Sequence, residues 1–154
     1  MNVTICPKHR PLRDFLIGTV VSSSPYDAYI KIRDNPRGFT DIFRLKTSFT
    51  DAQSIGYDHS SSLAYYEVGA EIIIKLDGSE KVINHFSELK EGDVFVIATE
   101  SPVHLYVPYH NCYLVISPEE VFNLYTKTIS KISSFVFSGQ NLIKVNHELK
   151  IFSK

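Results

Sequence analysis

The chain has no tryptophan, one methionine and two cysteines, and no apolar run approaches the length of a membrane span. Apolar stretches such as Ile72-Ile73-Ile74 and Tyr113-Leu114-Val115-Ile116 fall far short of the ~20 residues a spanning helix requires, so no membrane partner is expected. Cys6 and Cys112 could in principle pair, but two thiols in a chain without a secretion signal are expected to stay reduced in a cytoplasmic setting. The N-terminal stretch carries Lys8, His9, Arg10 and Arg13 without an apolar segment and small-residue cleavage site behind them, so no secretion signal is expected. A formal charge of −1 over 154 residues excludes chain-wide attraction to nucleic acid or to an anionic membrane and leaves only local patches. Glycine-rich phosphate loops and nucleophile elbows are missing as well.

What is present favours sheet. Hydrophobic residues make up 44% of the chain and charged ones 21%, a balance that supports a globular core. Nine Tyr and ten Phe supply large β-favouring side chains for that core.

Two landmarks recur in order. Leu12 to Val21 matches Phe86 to Val96 around Gly18 and Gly92, 74 residues apart. Val68 to Ile74 matches Val145 to Ile151, 77 residues apart. In the first landmark an apolar segment ends at a glycine, which accepts the positive φ of a tight turn before an extended strand. In the second, Val68, Ala70, Ile72, Ile74 and then Val145, His147, Leu149, Ile151 alternate with the period of a strand with one buried face. Between them, Ala28 to Arg33, Ile42 to Lys46, Leu105 to Val107 and Tyr113 to Ile116 read as further strands.

Helix is scarce. Ser117-Pro118-Glu119-Glu120 has the form of a helix start, with Val121, Phe122, Leu124 and Tyr125 at helical spacing, and Thr50-Asp51-Ala52-Gln53 is a shorter copy ended by Gly56. The expected fold is therefore mainly β with one or two short helices, arranged as two tandem small barrel-like repeats, residues 1–76 and 77–154. The linker is expected at Asp77-Gly78-Ser79.

The Phe86-x-x-Leu89-Lys90-x-Gly92-Asp93-x-Phe95 opening resembles the first strand of small Src-homology-3-like (Tudor/KOW-type) barrel proteins of tailed bacteriophages, over residues 86–96. The first repeat departs from it, with Thr19 in the place of Asp93 and Leu16 in that of Lys90. The resemblance implies a phage-encoded binding module working in the host cytoplasm, and it carries no catalytic residue.

The candidate site is a basic face on the first repeat. If Ala28, Ile30, Ile32, Phe43 and Leu45 point inward, alternation turns Tyr29, Lys31, Arg33, Arg44 and Lys46 outward, and the loop adds Arg37. Cations interleaved with an aromatic suit phosphate contact and base stacking. The competing reading is an ordinary solvated hairpin face neutralised by Asp27, Asp34 and Asp41, and the charge asymmetry is small: residues 1–76 hold nine Lys/Arg against eight Asp/Glu. Two His-x-Ser pairs, His59-Ser60-Ser61 and His85-Phe86-Ser87, recur in the manner of two-histidine phosphoesterases, but only 26 residues separate them. Cys6, His9, His110 and Cys112 offer a two-Cys, two-His zinc set only if the N-terminus folds onto the second repeat. The stretch Pro102 to His110, dense in Tyr and His, reads either as a groove lining or as a proline-interrupted edge strand.

The function expected from these residues is non-catalytic binding without a cofactor. The first repeat contacts an anionic partner, nucleic acid or nucleotide. The alternatives are a protein-binding inhibitor or adaptor of a host factor and, more distantly, a two-histidine phosphoesterase.

Overall fold

The computed structural model describes residues 1–3, 8–47, 55–60, 64–98, 112–135 and 141–154. The first half contributes strands β1 (Val20–Ser22), β2 (Tyr29–Asp34), β3 (Thr40–Arg44), β4 (Gly56–Ser60) and β5 (Tyr66–Lys75). After the Asp77-Gly78-Ser79 turn, where Gly78 has φ +90°, come β6 (Lys81–Val82), β7 (Val94–Ala98), β8 (Cys112–Val115), β9 (Glu120–Asn123), β10 (Ile129–Lys131) and β11 (Asn141–Ser153). All ladders are antiparallel, and the strands form one sheet in the order β10-β9-β8-β7-β11-β5-β1-β2-β3-β4, with β6 on β11. The protein is mainly β. Among the described residues no ladder closes either half into a barrel.

The strand order is a palindrome of two equivalent halves. Outward from the centre, β5-β1-β2-β3-β4 mirrors β11-β7-β8-β9-β10. The equivalence extends to single bonds. Gly18 N–H donates to the Lys31 carbonyl and Gly92 N–H to that of Val115, each at 2.8 Å, and Leu45 N–H bonds Ala28 as Leu124 N–H bonds Cys112. Both glycines occupy the left-handed region, at φ +87° and +89°, where a side chain would be strained. A short 3-10 turn precedes each, Leu12–Asp14 and Phe86–Glu88.

The halves join through β5 and β11, whose ladder sets Ile72 opposite Leu149. These two residues are counterparts at the 77-residue spacing, so a pseudo-twofold axis passes between them. About this axis the halves share one core: Ile30, Ile32, Phe43 and Leu45 cluster with Val94, Leu114, Phe122 and Leu124. Each half also buries its opposite face. Leu12, Phe15, Val21, Tyr29, Ile42 and Tyr65 form one outer cluster, and Ile83, Phe95, Val115, Val121, Ile132 and Leu142 form the other.

The helix expected from Ser117 does not form. Ser117 Oγ accepts from the N–H groups of Glu119 and Glu120, as a helix cap would, but the Ile116 and Ser117 N–H groups donate to the Glu120 carbonyl and close a hairpin turn instead. Val121 and Phe122 then continue as β9, paired to β8 and buried on opposite faces. The local hydroxyl–amide contact is common to a cap and to such a turn, and the available β8 edge decides between them. The described helical segments are single 3-10 turns. The Thr50 helix start and the Leu105 strand lie outside the described residues.

Candidate functional site

The basic face expected on the first half is not assembled. Ala28, Ile30, Ile32, Phe43 and Leu45 face the shared core as expected, yet Tyr29 and Lys31 are buried too. Alternation sends a residue outward only when the other sheet face meets water, and here the segment Leu12 to Phe15 with Tyr65 covers that face. Lys31, 1% exposed, donates from Nζ to the Phe15 carbonyl at 2.7 Å and pairs with Asp34 at 3.0 Å. Its counterpart in the second half, Val115, is a plain core residue. Tyr29 packs edge-on against Tyr65, and burial, then Asp27, pushes its phenol up.

The other cations are largely engaged. Arg33 bonds Glu120 at 2.9 Å, reaches Asp41 at 3.4 Å and donates to the Tyr57 hydroxyl, tying β2 to the start of β9. Tyr57 donates in turn to Asp41, and its phenol is pushed up to about 12 by burial first and by that hydrogen bond second. Arg44 lies half-buried with its guanidinium 5.6 Å from the Tyr29 ring centre. Arg37 and Lys46 are exposed. Two cations without the intervening aromatic do not make a stacking surface.

His59 sits on edge strand β4 against Phe39, while His85 caps the Phe86–Glu88 turn, its Nδ1 accepting from Ser87 N–H. One is therefore a surface ring and the other a structural cap, on different halves. His9 packs on Tyr66, and Cys112 is buried in the shared core. Cys6, His110 and the Pro102 to His110 stretch lie outside the described residues. Among the described residues no group of three metal-ligating side chains occurs.

What sequence reasoning missed is a cavity of about 550 Å³ beside the pseudo-twofold axis. Val20, Ile30 and Leu45 line it from the first half, Ala70, Ile72 and Ile74 from β5, and Cys112, Leu124 and Leu149 from the second half. Its size and apolar lining are those of a small-molecule site, commonly ~300–1,000 Å³. The alternating residues of β5 and β11 carried a signal for it: Ala70, Ile72, Ile74 and Leu149 are only half-buried, because they face this open space. Burial pushes the Cys112 thiol up to about 11, which keeps it protonated and unreactive on the cavity wall. Two charged residues join the lining, Glu71 and Lys127. No family model, curated protein or solved structure matches the chain.

Proposed function

We propose that the chain is a non-catalytic binding protein that takes a small, largely apolar molecule into the cavity between its halves. The observation that carries this reading is the cavity itself: about 550 Å³, walled by aliphatic side chains from both halves, on the face of β5 that the shared core leaves half-covered. Apolar walls with few polar groups favour partition of an apolar ligand out of water, at roughly 25 cal/mol per Å² of surface buried. Macromolecular anion binding by the first half draws less support, since Lys31 and Arg33 already spend their charge on Asp34, Asp41 and Glu120.

Titration with the uncharged fluorescent dye prodan tests this. Saturable binding with a blue-shifted emission is expected, and Ile72→Trp, which fills the cavity at the axis, abolishes it while the far-ultraviolet circular dichroism is retained. Non-saturable binding, or binding indifferent to Ile72→Trp, overturns the proposal.

A further inference from the structure

We infer that Lys127 makes this cavity selective for apolar molecules that end in a carboxylate, an inference that rests on the binding reading above. Lys127 lies in the turn between β9 and β10, held by its N–H bond to the Asn123 carbonyl at 3.0 Å. Asn123 Oδ1 accepts from Tyr125 and Thr126 N–H and shapes the same turn. The Lys127 backbone has φ +60°, the only positive value at a described non-glycine residue. Such a conformation is strained for a side-chain-bearing residue and marks a position defined by its surroundings.

The side chain is aimed as well as placed. Its stem runs over the Gly18 turn of the other half so closely that a Cβ on Gly18 would lie 2.4 Å from Lys127 Cδ. The pseudo-symmetric place in the first half is held by Ile55, which lies over Gly92 less closely, its Cγ2 3.2 Å from where an added Cβ would stand. An aliphatic residue therefore suffices to pack this site, and the lysine adds something packing does not require, a charge at one of two equivalent positions. Lys127 belongs to the cavity lining while the residue as a whole remains exposed, and partial burial lowers the pKa of its ammonium, which together put the charge at the mouth of the cavity. Among the described residues no carboxylate pairs with it. Glu71, the other charged lining residue, is exposed and faces Lys150 across the β5–β11 ladder. An apolar pocket with a cation at its rim that no described carboxylate pairs holds an alkyl or aryl chain inside and a carboxylate at the opening, by a charge-assisted hydrogen bond.

Competition against prodan with decanoate and decanol separates the two levels of the claim. Decanoate is expected to bind about fivefold more tightly than decanol, between the worth of an exposed ion pair and that of a desolvated one. Lys127→Met, which keeps the stem over Gly18, is expected to erase the preference, and Lys127→Arg to keep it. Equal displacement by acid and alcohol in the native protein overturns the inference and leaves the binding reading standing, as does prodan binding that neither competitor displaces. A preference that survives Lys127→Met also overturns it. Absence of prodan binding overturns both.

Discussion

Single residues carry different burdens at equivalent positions of the two halves. Lys31 and Val115 occupy the same point in the hydrogen-bond pattern, and both are buried, yet one must bring a carbonyl and Asp34 with it to satisfy its ammonium. His147 on β11 is a further case. Burial first, then the nearby Lys46, lowers its pKa below the ordinary 6.5, against an opposing pull from Asp93. The unfolded chain thus binds this proton more readily than the folded one. The stability contribution is present above about pH 6.5 and is lost as pH falls through that value toward the folded pKa. Urea unfolding across this range should show stability declining on acidification, with a shallower decline in His147→Gln.

At the scale of elements, the β5–β11 ladder determines how the halves meet, and a glycine sets its fit. Gly69 pairs with Phe152, whose ring lies over it so closely that an added Cβ would come within 2.1 Å of Cε2. The aromatic fills the space that a glycine leaves in a strand. Gly69→Ala is therefore expected to cost ~1 kcal/mol by displacing the ring, whereas in a Phe152→Ala background the same change should be neutral or stabilising, because alanine loses less entropy than glycine on folding. A double-mutant cycle in urea reads this reversal as coupling between the two positions.

The whole molecule behaves as one cooperative unit if its core is truly common. Phe43 and Phe122 are counterparts in the β2–β3 and β8–β9 hairpins, and both lie fully buried in the same cluster with side chains from the opposite half. Neither half can keep that face dry alone. Phe43→Ala and Phe122→Ala should each cost ~3–5 kcal/mol and still unfold in a single transition. Circular dichroism, tyrosine fluorescence and alkylation of the buried Cys112 thiol should report the same midpoint; separate midpoints for the halves would contradict the shared core.

Local pattern was enough for seven of the eleven described strands, the glycine turns and the spacing of the repeat. Positive-φ glycines and period-2 alternation are set by neighbours along the chain, and β1, β2, β3, β5, β7, β8 and β11 stand where those signals put them. The inward set Ala28, Ile30, Ile32, Phe43 and Leu45 was legible for the same reason. Tertiary structure alone decided the rest. Whether Lys31 met water depended on the Leu12 to Phe15 segment folding across β2, and whether Val121 and Phe122 became helix or strand depended on the open edge of β8. The cavity depended on two distant closing strands pairing so that Ile72 met Leu149. A side chain's own sequence neighbours set its direction from the backbone; only the elements packed against it determine what it finds there.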